Sequence, residues 1–328
     1  MRRSPLISLR PSIALLALVL ALIAPASVRA AFPGVPGPIV FPKVRSDGVV
    51  EDRGGLFLHG PRKRQKPTRL TTDPDDGAPS FSADGRLVAF ASNRDPGSAP
   101  GSHIYLVKVD GSGLTQLTTG PEFDSNPSFA PNGQRLVFDR RSGGKSHIFS
   151  VKVDGSGLRQ LTSGKGNDSE PVYTPNGRRI VFVSDRDRDM RSDHSDIFAM
   201  APSGADIRLL IDSAYDEEEP DTAPNGRKIA FVSDRGGSLN VFVARSNGSR
   251  VQQLTATRRG CFSGSCNRSP VWAPDGKHIA FLSIGRYNSD LMVMRSNGRG
   301  EKEFADGGTE TEGFGVRIGP PGWGIVSP

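Results

Sequence analysis

The sequence has only one long run of apolar residues, and that run is too short to cross a bilayer comfortably. The run, SIALLALVLALIA at 12–24, follows Arg2, Arg3 and Arg10 and precedes the small-residue stretch SVRA. A basic start, a short apolar stretch and a small-residue site are typical of a secretory signal peptide. We therefore expect residues 1–30 to be cleaved near Ala30 and the protein to be exported to a periplasm, envelope or cell exterior, with no membrane span afterwards. An uncleaved anchor is the alternative.

The remaining chain has little net charge, which weakens the case for nucleic acid. Residues 1–30 contain four arginines and no acid, so their removal lowers the formal net charge from +7 to +3. A net charge of +3 gives little electrostatic basis for binding nucleic acid. The basic cluster PRKRQKPTR at 61–69 is interpreted as a solvated loop. An alternative is that Arg62, Lys63 and Arg64 bind an anionic wall polymer.

Cysteine and histidine are scarce, and no arrangement of them indicates a metal centre. Cys261 and Cys266 lie in CFSGSC, where a metal site would need two further ligands and no histidine is near. We expect these cysteines to form a local disulfide in an oxidising compartment. The histidines, at positions 59, 103, 147, 194 and 278, are scattered. Packing or loop contacts explain the equivalent pair His103 and His147 better than metal ligation.

Two motifs that would indicate catalysis or calcium binding are missing or incomplete. No GxSxG nucleophile elbow occurs in the chain. Residues 185–196, DRDRDMRSDHSD, place acids at the offsets of a calcium-binding loop. However, Met190 stands where the sharp turn needs glycine, and three arginines would oppose the ion. We interpret the segment as a self-neutralising surface loop, and we expect neither a cofactor nor a metal.

The chain does contain one sequence motif that is repeated five times. PSFSADGRLVAF begins at Pro79, and variants begin at Pro127, Pro171, Pro220 and Pro270, at intervals of 48, 44, 49 and 50 residues. A second phrase, HIYLVKVDGSGLTQLTT at 103–119, recurs between them. Repetition at this period indicates stacked supersecondary units. With 39 glycines, 26 prolines and little helical periodicity, the chain from 31 to 328 fits one all-β domain.

Each repeat contains four short strands joined by hairpins. Pro-Asn-Gly and Pro-Asp-Gly sequences favour tight turns, and the second and third strands are almost continuously apolar, as in sheets covered on both faces. Radial stacking of such sheets is a β-propeller. Blades are expected to start near 37, 79, 127, 171, 220 and 270. The blade near 37 lacks a first strand, which residues 319–328 would supply, so we predict a six-bladed propeller of four-stranded antiparallel blades closed by pairing of its N- and C-terminal strands.

These phrases resemble the repeats of TolB-like propellers. PVWAPDGKHIAF and HIYLVKVDGSGLTQLTT are similar to the family pattern, and the resemblance extends over nearly the whole chain from 31 onward. The chain departs from TolB in leaving no room for the α/β domain that precedes that protein's propeller, so the role of TolB in an envelope complex does not transfer directly. Similar repeats occur in prolyl-oligopeptidase-like peptidases, but no hydrolase domain fits here. The Gly-His and Trp-Asp signatures of WD repeats are missing.

The loops between strands two and three, and between blades, share one face of a propeller and vary most, so we expect binding there. Two sets of charged residues belong to that face. Acids precede the leading prolines by three residues, and arginines follow the second strands. As an acidic funnel they would receive a cation, a basic peptide segment or a partner's loop; alternatively, each acid caps backbone donors or pairs with a neighbouring arginine. The candidate binding residues are Asp76, Asp124, Asp168, Glu217, Glu218, Glu219, Arg94, Arg140, Arg186 and Arg235.

Together these observations predict an exported, monomeric, non-catalytic propeller that binds a protein or peptide partner in the cell envelope on its loop-rich face. The acidic run YDEEEP at 215–220 exceeds what the repeat requires and is the best local candidate for a site. The alternative is a channel-centred, metal-dependent enzyme, such as a polysaccharide lyase or hydrolase, that uses the acidic mouth.

Overall fold

The computed structural model of the protein describes residues 36–45, 54–60, 66–94, 101–186, 194–257, 265–285, 289–305, 316–318 and 322–325. These residues form 25 β-strands, and no helix occurs among them. The strands are grouped in six antiparallel sheets that follow one another around a ring. The predicted all-β, six-bladed propeller is therefore confirmed.

Blades 2 to 6 each consist of four consecutive strands, and the first strand of each lies at the central channel. Blade 2 contains β4 (Gly77–Phe81), β5 (Leu87–Ser92), β6 (His103–Lys108) and β7 (Thr115–Gln116). Blade 3 contains β8 (Phe123–Phe129), β9 (Arg135–Ser142), β10 (Lys145–Lys152) and β11 (Arg159–Gln160). Blade 4 contains β12 (Asp168–Tyr173), β13 (Ile180–Ser184), β14 (Asp196–Met200) and β15 (Arg208–Ile211). Blade 5 contains β16 (Glu217–Thr222), β17 (Lys228–Ser233), β18 (Asn240–Arg245) and β19 (Gln252–Gln253). Blade 6 contains β20 (Ser265–Trp272), β21 (His278–Gly285), β22 (Ser289–Arg295) and β23 (Lys302–Ala305).

Blade 1 is built from both ends of the described chain. It combines β1 (Pro36–Arg45), β2 (Gly55–His59) and β3 (Thr68–Arg69) with β24 (Val316–Ile318) and β25 (Gly322–Ile325). Both C-terminal strands pair antiparallel with β1, through Val44 opposite Arg317 and Ile39 opposite Trp323. The predicted closure by N- and C-terminal strands is confirmed, and β24 extends it beyond the expected closing segment. Such closure leaves no exposed inner edge at the seam.

Six apolar clusters hold neighbouring blades together, including the closing pair. Phe41 of β1 packs in one cluster with Leu282 and Leu291 of blade 6, while Phe90 and Val40 share the cluster between blades 2 and 1. The second and third strands supply most members because both of their faces are covered. Each sheet therefore buries its apolar faces only against its two neighbours, and this explains why the repeat must be iterated.

Glycine is required where each hairpin between strands three and four meets the preceding blade. Gly248 has a φ of +82°, and an added Cβ would lie 1.7 Å from the carbonyl oxygen of Leu210 in blade 4. Gly155 has the same φ, but its added Cβ would lie 3.6 Å from the Leu117 oxygen. The turn glycines thus allow a left-handed backbone conformation and, at some seams, close approach to the sheet of the preceding blade.

The strand order gives the ring two different faces. The turns between strands one and two, such as Asp84-Gly85, and those between strands three and four, such as Asp110-Gly111, lie on one side, which we name the turn face. The longer connections between strands two and three, and between blades, lie on the other side, which we name the loop face. Each first strand begins at the loop face and runs through the channel towards the turn face.

Candidate functional site

Blades 2 to 5 each bury one carboxylate near the start of the first strand and pair it with an arginine near the end of the second. The four acids are 0–1% exposed. In blade 4, Arg186 donates to both oxygens of Asp168 at 2.7 Å. The four pairs, with their closest distances, are Arg94 and Asp76 (2.6 Å), Arg140 and Asp124 (2.6 Å), Arg186 and Asp168 (2.7 Å), and Arg235 and Glu217 (2.6 Å).

Each of these arginines also lies over two aromatic rings. In blade 5, the guanidinium carbon of Arg235 lies 5.8 Å from the ring centroid of Phe231 and 5.2 Å from that of Phe242. The two rings come from the second and third strands and stack on each other. The same arrangement occurs around Arg94, Arg140 and Arg186. We name this unit of acid, arginine and two rings the arginine clamp; it ties the first three strands of a blade together.

Arg140 reaches its acid from a different register. In blades 4 and 5 the residue directly opposite the acid is a serine, Ser184 or Ser233, and the arginine follows two positions later. In blade 3 Arg140 itself stands opposite Asp124 on β9, and its Nε and Nη2 donate to the two carboxylate oxygens. The sequence grouped Arg140 with the other arginines, and the structure shows that it shares their partner but takes the serine's place.

The two equivalent histidines contact the acid of the following blade. Nδ1 of His147 in blade 3 lies 3.4 Å from Oδ2 of Asp168 in blade 4, and Nδ1 of His103 lies 4.0 Å from Oδ2 of Asp124. Between blades 4 and 5 an aspartate, Asp196, occupies the equivalent strand start. These contacts place both histidines at seams between blades. In the described part of the chain, no group of three or more His, Cys, Asp or Glu side chains is arranged to hold a metal ion.

A cavity of about 220 Å³ occupies the central channel. The first strands of blades 2 to 6 line it, and each has a bulge just before its leading proline. The bulge residue has a φ between +47° and +53° and belongs to the cavity wall. These five wall residues are Ala78, Asn126, Glu170, Glu219 and Ser269. Among the predicted binding residues, Glu219 lines this cavity, whereas the four clamped acids lie two positions earlier and are buried.

Carboxylates cap the backbone N–H groups of the inner strands from one blade to the next. Asp139 accepts from the backbone N–H of Glu170 at 3.1 Å, Glu170 from that of Glu219 at 2.6 Å. Glu219 in turn accepts from the N–H of Ser269 at 2.6 Å. These strands have no further strand on their channel side, so a side-chain acceptor satisfies donors that would otherwise be buried unpaired. The acids of the channel therefore have a structural role as well as a charge.

Burial raises the pKa of several carboxyl groups around the channel and so favours their neutral forms. Burial, reinforced by the charge of Glu219, raises the pKa of Glu170 to about 8. Burial raises the pKa of Asp221, which accepts from the N–H of Trp272, to about 7. Burial also raises the pKa of Glu218. The channel thus contains carboxyl groups that titrate near neutral pH.

Arg268 is the cation that faces this acidic wall. Its guanidinium forms ion pairs with Glu218 and with Glu219, whose Oε1 lies 3.2 Å from Nε. The three side chains are 18–33% exposed, so both acids of this cluster are reachable from solvent, whereas the acids of the arginine clamps are buried. It lies at the loop-face end of the channel because β16 and β20 start there.

Two exposed aromatic side chains lie on the same face. Phe123, at the start of β8, is 50% exposed, and Tyr215, in the loop before β16, is 42% exposed. Phe123 follows the connection between blades 2 and 3, and Tyr215 lies in the connection between blades 4 and 5. Aromatic residues are common anchors in protein interfaces.

Comparison with known proteins supports the architecture. The family model described as the TolB beta propeller domain matches residues 69–186 and 188–314. The chain belongs to the TolB beta propeller domain family. The confirmed resemblance therefore rests on two matched segments that together cover most of the six blades.

Solved structures show the same TolB-type propeller at low identity. TolB from Acinetobacter baumannii is 21% identical with a TM-score of 0.74, and the match covers 88% of this chain and 67% of that one. A protein described as putative TolB from Agrobacterium tumefaciens is 19% identical with a TM-score of 0.63, covering 89% and 98%. An oligogalacturonate lyase in complex with manganese is 13% identical with a TM-score of 0.51, covering 85% and 76%. At these identities the likeness concerns the fold alone.

Some residues of this site were missed by sequence reasoning. Glu170, Asp221 and Arg268 were not singled out, although each lies within four residues of a leading proline. A signal was available: the residue just before the proline is charged only in blades 4 and 5. The bulge that turns this position into the channel is not visible in an alternating strand pattern.

Several predictions fall outside the described residues. Cys261 lies there, so its disulfide with Cys266, which is buried in β20, stays a prediction. Asp187, Asp189 and Asp193 of the interpreted surface loop also lie there, as do Arg62 to Arg64 and residues 1–30. In the described part of the chain, no helix has the length and apolar character needed to span a membrane.

Proposed function

We propose that this propeller is an exported, monomeric binding protein whose loop face receives a protein or peptide partner at the mouth of the central channel. The partner would present a cationic side chain to the carboxyl groups of Glu218 and Glu219. The observation that carries the proposal is the solvent-accessible cluster of Glu218, Glu219 and Arg268 directly above a cavity of about 220 Å³. Arg268 supplies one positive charge to the two carboxyl groups of Glu218 and Glu219, so a second cation is electrostatically favoured.

The surroundings of the cluster fit a macromolecular partner. Phe123 and Tyr215 are exposed beside the mouth and would bury aromatic surface on docking. A cavity of about 220 Å³ is large enough for one or two side chains. The partner would thus place a short segment in the channel and rest its flanks on the loop face. The arginine clamps would keep Asp76, Asp124, Asp168 and Glu217 in place below this surface.

Capture from envelope extract with two matched variants tests the proposal. In E218Q/E219Q, both amides retain a carbonyl acceptor, including the one that accepts from Ser269, but two negative charges are lost. The matched control, E301Q/E303Q, removes two charges from exposed positions on or beside the outer strand of blade 6. We expect the partner band to be lost with the first variant and retained with the control. Equal recovery with both variants would contradict the proposal.

A channel-centred enzyme is a second candidate, favoured by one observation. The carboxyl group of Glu170 lies in the cavity wall and burial raises its pKa to about 8, as suits a general acid. The fold is also shared with the oligogalacturonate lyase in complex with manganese. Metal analysis of the purified protein separates the candidates: stoichiometric tight metal that is lost in E170Q, together with cleavage of an acidic polysaccharide, would favour the enzyme.

A further inference from the structure

The turn face is lined with exposed cations. The residue that follows the glycine of the turn between strands one and two is basic in blades 2, 4, 5 and 6. These residues are Arg86, Arg178, Arg227 and Lys277, and all are exposed. Within the described residues, none of the four side chains forms an ion pair with an acid. The first turn of these four blades therefore presents a free positive charge to solvent, whereas blade 3 has Gln134 at this position.

A second ring of cations follows at the ends of the third strands, and some of them oppose other cations directly. Lys228 stands opposite Arg245 in blade 5, and Arg135 stands opposite Lys152 in blade 3. Like charges directly across a strand pair destabilise a sheet. Stability of the fold therefore does not account for the arrangement. A surface that binds anions does.

The acids of this face are fewer, and most are engaged in their own turns, whereas Asp206 pairs with Arg179 at 3.1 Å. Asp84 and Asp275 accept from the backbone N–H two residues further on, and Asp110 and Asp154 do the same. These acids stabilise the backbone conformation of their turns, and they offset part of the positive charge of the neighbouring cations. The acidic channel wall, by contrast, opens on the loop face. The ring is therefore polarised, with a basic turn face and an acidic loop-face mouth, although the net charge of the chain is small.

Exposed aliphatic side chains rim the turn face. Leu114, Leu158 and Val251 directly follow the turns between strands three and four and are 48%, 47% and 36% exposed. Leu209, two positions further along the outer strand of blade 4, is 38% exposed. Gly113 and Gly157, which directly precede Leu114 and Leu158, lie close to Lys108 in blade 2 and to Arg135 and Lys152 in blade 3. Basic residues interleaved with exposed aliphatic ones are typical of surfaces that bind the interface of an anionic bilayer.

The shape of this face suits a flat binding surface better than an extended polymer. Its turns have the same length in blades 2 to 6, so none of these five blades projects above the other four. The cavity between blades 4 and 5 at this face is only about 30 Å³, too small to hold a side chain. Among the described residues, the exposed aromatic side chains Phe123 and Tyr215 belong to the loop face, so the turn face lacks the stacking platforms that single-stranded nucleic acid uses.

We propose that the turn face docks on the surface of a bilayer that contains anionic phospholipids. The turn cations contact the headgroups, and Leu114, Leu158 and Val251 enter the interface. The protein then lies flat on the membrane, and the loop face points away from it. This inference does not depend on the proposed function, but it gives that function an orientation: the partner approaches from the side opposite to the membrane.

Sedimentation with vesicles tests the docking surface. The probes are vesicles of phosphatidylcholine alone and of phosphatidylcholine with phosphatidylglycerol, at low and physiological ionic strength. The protein is the chain from residue 31, which includes every residue that the structure describes. Wild type is compared with R227Q/K228Q/R245Q from one edge of the turn face. The matched control, R141Q/K145Q/K165Q, removes the same charge from exposed positions of the loop face.

We expect wild type to bind the anionic vesicles and not the neutral ones, more weakly as salt screens the charges. Each cation near an anionic membrane contributes about five-fold to affinity, so the turn-face variant should bind on the order of 100-fold more weakly and the control about as well as wild type. L158S/V251S should also bind anionic vesicles more weakly. Equal loss in the turn-face variant and the loop-face control would overturn the proposal, as would binding to soluble polyphosphate without binding to vesicles.

Discussion

Arg94 donates two hydrogen bonds of 2.6 Å to the buried carboxylate of Asp76, and its guanidinium carbon lies 5.0 Å from the ring centroid of Tyr105. Asp76 begins the innermost part of blade 2, whereas Tyr105 belongs to its third strand. The arginine therefore links the first and third strands of the blade, which are separated by the second strand. The same clamp occurs in blades 3, 4 and 5 and is the main polar device that holds a blade together beneath the loop face.

Breaking a clamp should destabilise the protein strongly. In R94A the carboxylate of Asp76 remains buried without its cation, and removal of one partner of a buried ion pair costs about 3–5 kcal/mol. The lower end is expected here because the Arg94 side chain is 13% exposed. The double variant D76N/R94M should recover part of the loss, since no unpaired charge remains. Urea unfolding of the variants, with the exposed R86A as a control expected within about 0.5 kcal/mol of wild type, measures the effect.

The turn glycines allow backbone strain to be separated from close packing. G155A and G248A both place alanine at a φ of +82°, which costs about 1–2 kcal/mol. Only in G248A does the new Cβ collide with a backbone oxygen of the preceding blade, adding about 1–3 kcal/mol of overpacking. Thermal unfolding should therefore place G248A clearly below G155A. Equal destabilisation would mean that the seam between blades 4 and 5 can yield without loss.

The acidic channel wall predicts that stability falls as pH rises towards 8. The pKa of Glu170 is raised from 4.5 to about 8 by burial and by Glu219, with further repulsion from Glu218 and Asp139. The native state thus holds a proton that the unfolded chain has released. The stabilisation is full below about pH 4.5 and is lost as pH rises through about 8.

In E170Q this contribution disappears, while the amide oxygen still accepts from the N–H of Glu219. Between pH 5 and 8 wild type should lose about 1 kcal/mol per pH unit more than E170Q. Unfolding by urea at several pH values measures the two slopes. Parallel curves would show that Glu170 is ionised in the native state across this range. E303Q, an exposed carboxyl on blade 6, is the control and should leave the slope unchanged.

The architecture could be predicted from the sequence, because the repeat period, the turn sequences and the apolar strand pattern all indicate a β-propeller. Phe129 and Trp272 occupy the same position of the repeat in their first strands, and both lie in apolar clusters between blades. Closure by the two ends followed from the missing first strand near residue 37. These features depend on local signals that recur five times, so each repeat supports the interpretation of the others.

The site was less predictable because it depends on where the repeat deviates from regular strand geometry. The ion pairs of Asp124 and Asp168 with arginines were left as an alternative to a binding role; the pairs are present, and the binding role stays a prediction. Glu170 enters the channel only because a bulge precedes Pro171, and the sequence pattern does not specify that register shift. The difference in charge between the turn face and the loop face could have been predicted from the basic residues after the turn glycines. That prediction requires the strand directions, which decide the face on which each turn lies.

Partner binding at the loop face, the central claim, can be tested most directly by photo-crosslinking in producing cells. p-Benzoylphenylalanine in place of Phe123, which is exposed on the loop face, is compared with the same group in place of Leu158, which is exposed to a similar extent on the turn face. We predict a discrete protein adduct at position 123 that disappears in E218Q/E219Q, and no protein adduct at position 158. A protein adduct at position 158 without one at position 123 would contradict the account.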